Sequence, residues 1–178
     1  MSGNSLNAGL WANGKVLIAP LGTAGPTDVS TSWPPAYLEA GLLDGELGFE
    51  MTRSETASDY YAWGGLLVKS TKSKHKRQIK FHALEDNDVV FSLVNPGSTR
   101  TTATGLTTSS IKAPSTQEFA IGFEVLDGDK VKRRYCERAT VETVGPMKES
   151  EAALTVYEIT VTLYPDSNGN LYHEIKSA

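Results

Sequence analysis

The chain has 178 residues, with 17 Lys/Arg against 21 Asp/Glu and a formal net charge of −4. This balance excludes a general affinity for the phosphate backbone of nucleic acid. A single cysteine, Cys136, excludes an internal disulfide and points to a reducing compartment.

Hydrophobic residues make up 39% and charged residues 21%. That mixture fits one globular domain over 1–178, long enough to bury a core unaided. No apolar run approaches the ~20 residues that span a bilayer, so no membrane insertion is expected. Met1-Ser-Gly-Asn-Ser5 lacks the charged and apolar parts of a secretory leader.

In chain order, residues 1–30 form an arm rich in Gly, Asn, Thr and Ala around one strand-like run, Lys15-Val-Leu-Ile-Ala19. Asn13-Gly14 before it is a short hairpin signal. The arm is expected to order only against a neighbour, with residues 1–12 mobile in a free subunit. Pro34-Pro35 stops any helix, and Ala36–Gly41 reads as a single turn.

Met51–Asp59 reads as a polar loop, and Ala62-Trp-Gly-Gly65 follows. Leu66–Lys69 is strand-like, Ser70–Lys76 reads as a basic turn, and Gln78–Leu84 alternates with Ile79, Phe81 and Ala83 on one face. A helix is predicted over 85–94. Asp86 or Asn87 caps it, Val89, Val90, Leu93 and Val94 share a face, and Pro96-Gly97 ends it. Residues 95–116 are Thr/Ser-rich and read as a long surface loop, mobile over 98–116 in a free subunit and able to reach a neighbour.

Three further strands follow. Glu118–Leu126 places Phe119, Ile121, Phe123 and Val125 on one face, and Lys130–Cys136 places Val131 and Tyr135 together. Thr155–Tyr164 sets Tyr157, Ile159, Val161 and Leu163 against Glu158, Thr160 and Thr162. Period-two alternation of this kind marks half-buried antiparallel strands. Asp127-Gly128 joins two of them as a hairpin, and Asn168-Gly169 closes another. The fold is therefore mainly β: a two-sheet β-sandwich or partly open barrel with one short α-helix.

Catalytic chemistry is missing from the pattern. His75, His82 and His173 have no cysteine or histidine at ligand spacing, so no metal is expected. No nucleophile elbow, phosphate loop or dinucleotide fingerprint occurs, and no cofactor is implied. Asp166-Ser-Asn-Gly-Asn170 imitates the start of a calcium loop, but Leu171 and Ser177 stand where glycine and glutamate are needed, which leaves turn chemistry. Cys136 in a strand reads as a small packed hydrophobe.

The basic run Lys69, Lys72, Lys74, Lys76, Arg77 and Lys80 has two readings. It contacts phosphate or, the favoured reading in a net acidic chain, an acidic partner surface; or it is a solvated hairpin tip whose charges keep an edge from aggregating. Glu50, Glu55 and Asp59 supply a complementary patch, so like copies stacked head to tail would pair the two. Tyr60, Tyr61 and Trp63 are interface anchors or pack locally under the loop.

The run Tyr37-Leu-Glu-Ala-Gly-Leu-Leu-Asp-Gly45, the Ser/Thr/Glu loop, Ala62-Trp-Gly-Gly65 and the capped helix with its Leu84-Glu-Asp-Asn87 start resemble the major tail protein of long-tailed bacteriophages. The likeness is good over 33–94 and looser beyond, and the basic segment at 70–77 departs from it.

The resemblance implies a non-enzymatic tail tube subunit in the virion, assembled in the bacterial cytoplasm. Hexameric rings would stack into a conduit for the genome, working with a tape measure protein, a tail terminator and distal tail or baseplate proteins. Double-stranded DNA would pass without binding, which an acidic or neutral wall permits.

Inter-subunit contact then falls to Arg53, Glu55, Asp59, Tyr60, Tyr61, Trp63, Lys72, Lys74, Lys76 and Arg77, with the Thr-rich loop and both termini. Glu118, Glu124, Glu158, Thr160 and Thr162 are candidates for a lumen-facing surface, or are ordinary outward polar positions. Rival readings are another ring-forming tail component, such as a terminator or injection-device tube, and a carbohydrate-binding β-sandwich using Trp33, Tyr37 and Trp63 as platforms.

Overall fold

Alternating apolar side chains, interrupted by turn residues, build a curled antiparallel sheet around a main core, with a smaller buried cluster of Leu17, Ala19, Tyr37 and Ala120 beside it. A computed structural model describes residues 8–177. The strands are β1 (Asn13–Pro20), β2 (Leu38–Glu39), β3 (Glu50–Tyr61), β4 (Leu67–Ala83), β5 (Thr99–Ala103), β6 (Leu106–Ser110), β7 (Glu118–Asp127), β8 (Lys130–Val144), β9 (Tyr157–Leu163) and β10 (His173–Lys176), with one helix, α1 (Asp88–Val94). The main sheet runs β2-β1-β7-β8-β9-β4-β3, with β10 against β8, and β5-β6 form a separate hairpin.

The apolar alternation of β4, β7 and β9 is the core. Ile79, Phe81, Ala83, Phe119, Ile121, Phe123, Ile159, Val161 and Leu163 are all buried in one cluster with Val16 and with Val90 and Leu93 of α1. In a flat sheet β4 and β7 would lie about 14 Å apart, three spacings of ~4.8 Å. Yet the rings of Phe81 and Phe123 approach to 6.2 Å between centroids, so the sheet curls until its two halves face each other. Ala40 donates to Val16 O at 2.8 Å and Asp44 to His82 O at 2.9 Å, so residues 40–44 bridge the gap from β1 to β4. The result is a partly open barrel.

Asn87 caps α1: its Oδ1 accepts from Val90 N at 3.0 Å, while its Nδ2 donates to Ala40 O at 3.0 Å. The cap thus fastens the helix to the bridging segment and satisfies one orphan N–H.

Several expectations are corrected. Asn13-Gly14 is not a turn, since both residues pair within β1, opposite Leu126 and Val125 of β7. Ala36–Gly41 contains β2, paired to β1. Met51–Asp59 is not a loop, and Ser70–Lys76 is not a turn. Both lie inside long strands, paired from Glu50↔Lys80 to Tyr61↔Leu67.

Within the Thr/Ser stretch, β5 and β6 form a hairpin turning at Thr104-Gly105, both at positive φ as a primed turn needs. Asn168-Gly169 does form a tight turn, but β10 then pairs with β8 rather than folding back on β9. In β8 the core residues are Cys136 and Ala139, not Val131 and Tyr135; register shifts interrupt its pairing with both neighbours. Of the arm expected to be mobile, residues 1–7 lie outside the described residues.

Candidate assembly surfaces

A two-stranded ribbon leaves the body of the domain. β9 pairs with β4 only over Arg77–Ala83, so among the described residues the earlier part of β4 is held by β3 alone. Among the described residues, the outer edge of β3 has no strand beside it in the sheet. A hairpin with neither face covered is marginal in water, so this ribbon, roughly 30 Å long at ~3.3 Å per residue, needs other support.

Charge supplies part of it. Glu55 sits where the β3–β4 register shifts. It accepts from Arg53 Nη2 at 2.8 Å and from Lys72 Nζ, with His75 Nδ1 at 3.3 Å. The Lys72 and Arg53 hydrogen bonds hold its carboxyl down to about 2. Lys76 meets Glu142 at 2.7 Å, and Lys80 meets Glu50 at 3.2 Å. Much of the acidic patch expected to meet a neighbour's lysines is therefore paired within the chain, while Lys69 and Lys74 make no ion pair among the described residues.

Because the Glu55 pKa is depressed on folding, its contribution is present above about pH 4.5 and fades as pH falls towards 2. Amide protection in the ribbon, taken relative to the intrinsic exchange rate at each pH, should fall over that window, and Glu55→Gln should flatten this change. Equal protection in both proteins at every pH would contradict this. High salt should weaken the effect, because the cluster is near the surface.

The tip is apolar. Ala62 donates to Leu66 O at 2.8 Å, and Gly64 and Gly65 take φ of +88° and +82°, conformations that favour glycine. Trp63 is fully exposed at 103%, and Tyr60, Tyr61, Leu66 and Val68 are exposed beside it. Local packing under a loop does not occur here. Arg77, at the ribbon's base, reaches Met51 Sδ and the Tyr172 ring.

The second surface is the sheet face away from the core. Register places Glu118, Thr140, Thr162 and Gln78 in one row and Thr160 beside Lys80 and Glu158 beside His82 in the next two. Four lumen candidates thus share a face. Glu118 pairs with Arg138 at 2.6 Å, and Thr162, buried, donates to Glu142 at 2.9 Å. His82 Nε2 lies 3.3 Å from Glu158 Oε2.

Glu124, on the same side of β7, is not an outward position. It is buried, bound by Arg133 Nε at 2.5 Å and by Trp33 Nε1 at 3.0 Å. Arg133 Nη1 also donates to the carbonyls of Asp28 and Thr31, at 2.9 and 2.6 Å. The segment before β2 is thereby strapped across the sheet, with Trp33 against Gly122, where a Cβ would lie 2.4 Å from the indole. Tyr37 is buried with it. Trp33 and Tyr37 are thus strap anchors, and the three-aromatic carbohydrate platform does not form.

Cys136 is buried and donates to Arg138 O at 3.0 Å, with its thiol pushed up by burial. Asp166 accepts from the backbone N–H of Asn168 and Asn170, both at 2.8 Å, as an ordinary turn residue. Among the described residues, no group of three His, Cys, Asp or Glu could hold a metal ion, and no helix is long and apolar enough to cross a membrane.

A sequence-family model described as "Phage tail tube protein" matches residues 1–178. The chain belongs to the phage tail tube protein family. Among solved structures, a chain from the extended-state sheath-tube complex of an extracellular contractile injection system, PVC, aligns with TM-score 0.50 and 10% identity over 93% of this chain and 88% of that one. A chain described with the sheath/tube terminator of that system aligns at TM-score 0.49 and 11% identity, over 94% of each chain. The first likeness, at this identity, speaks to the fold alone. No curated protein matches the sequence. Membership makes this tail tube protein a structural component of a phage tail.

Proposed function

We propose that this tail tube protein self-assembles into six-membered rings that stack into a tube for genome delivery. The observation that carries the reading is the open edge of β3 continuing into an unsupported ribbon. An edge of twelve residues invites pairing unless something covers it. Closing edges around a ring removes the liability, as in a barrel.

The tube's function is mechanical, with no turnover, no cofactor and no DNA bound at rest. It is built in the host cytoplasm alongside a tape measure protein, a terminator and distal tail proteins.

Hydrogen exchange before and after assembly tests the edge. The outward amides of Glu50–Tyr61 should exchange freely in the subunit and be protected in the particle. Particles that form with those amides still exchanging would refute edge closure.

The sheet face that carries Glu118, Thr160 and Glu158 is our choice for the tube's inner wall. Glu118→Lys with Glu158→Lys should leave tubes intact and slow DNA release, since cationic walls bind phosphate. Unchanged release from intact tails removes that assignment.

A further inference from the structure

We propose that the apolar tip of one copy's ribbon seats in an acidic-rimmed depression at the other end of β4 in the next copy. This rests on the tube reading and names the contact that joins successive subunits.

The depression has a volume of about 540 Å³, walled by Leu84, Ala153, Leu154 and Val156 and rimmed by Asp44 and Glu46. Pockets of a few hundred Å³ enclose small ring systems well, so an indole fits. Leu154 is 75% exposed, so the depression is open to an incoming group.

Three observations join tip to depression. The first is position: the tip precedes Leu67 and Leu84 follows Ala83, so the two features sit at opposite ends of one strand. That strand spans roughly 50 Å at ~3.3 Å per residue. A copy cannot seat its own tip, and a tip-to-depression contact repeats in one direction without closing on itself, the heterologous arrangement that builds stacks and filaments.

The second is charge. The segment Glu50–Ala83 holds seven Lys/Arg against three Asp/Glu, a net of +4, which leaves −8 on the rest of the chain. Lys69, opposite Tyr60 near the tip, is without an ion pair among the described residues and would approach Asp44 and Glu46. The third is chemistry. Trp63 is the most exposed large apolar residue described, and indoles buried at an interface centre dominate association energies.

Disulfide trapping decides it. In the Ala62→Cys/Ala153→Cys double variant, which keeps both the indole and Leu154, oxidation of assembled particles should give a ladder of covalent oligomers on a denaturing, non-reducing gel. Each single variant alone should give no ladder. Cys136 adds no background, because it is buried. In the otherwise unaltered protein, Asp44→Lys with Glu46→Lys should raise the concentration needed for assembly about 10-fold, and adding Lys69→Glu should restore part of it.

Tubes that form without the ladder overturn the seating and leave the tube reading intact. A protein that stays solitary at every concentration overturns both.

Discussion

Trp63→Ser is expected to abolish tube formation while leaving a folded subunit. In the isolated chain the indole is fully exposed, so removing it forfeits no burial. Surface changes of this kind stay within about 0.5 kcal/mol, and the thermal midpoint of the subunit should barely move.

Assembly is different. A buried aromatic anchor at an interface contributes about 2 kcal/mol or more when truncated, some 30-fold in each contact. Every subunit in a stack repeats the contact, so the concentration needed for long tubes should climb beyond reach. Sedimentation velocity and circular dichroism on the same sample check both halves. Tubes of normal length from the Ser variant would contradict the role given to the tip, and loss of fold would contradict its independence from the core.

Arg133→Ala should strongly destabilise the subunit itself. Its guanidinium is buried with Glu124 and also holds the carbonyls of Asp28 and Thr31. Removing one partner leaves a buried carboxylate whose remaining hydrogen bond comes from Trp33. Breaking a buried pair in this way costs about 3–5 kcal/mol.

In a domain of this size each kcal/mol moves the midpoint by about 2–4 °C, so a fall on the order of 10 °C is expected. Arg133→Met with Glu124→Gln should lose less, because no net charge is left in the interior. A shift of under 2 °C for Arg133→Ala, or a worse result for the double variant, would show that the strap is held by something else.

How far the sequence reveals this depends on whether a face is buried. Phe119, Ile121 and Phe123, like Tyr157, Ile159, Val161 and Leu163, alternate against polar residues because one side of each strand meets the core, and the reading of both strands agrees with the structure. The ribbon has no buried side. Thr52 to Asp59 and Lys69 to Lys76 are polar on both faces, so their periodicity vanishes and extended chain looks like loop and turn. The glycines gave a clue that was available: Gly64-Gly65 lies midway between Glu50 and Lys80, where a hairpin must turn.

The Glu124–Arg133 pair was also within reach. Asp127-Gly128 fixes the register of β7 on β8, and counting back from Asp127↔Lys130 brings Glu124 opposite Arg133. Glu124 departs from the outward position its alternation predicts because a strap covers that side of the sheet. Nothing in the composition of Gly25–Trp33 announces such a strap, because Asp28, Ser30 and Thr31 fold on their own hydrogen bonds. The depression near Asp44 and Leu154 joins segments distant in the chain, and no local pattern shows it.

Electron microscopy of the purified protein, concentrated without any other tail component, measures the central claim most directly. Rings and tubes of one diameter, with an axial repeat set by a single subunit layer, are the expected outcome. A population of separate, folded monomers at the highest attainable concentration would contradict it.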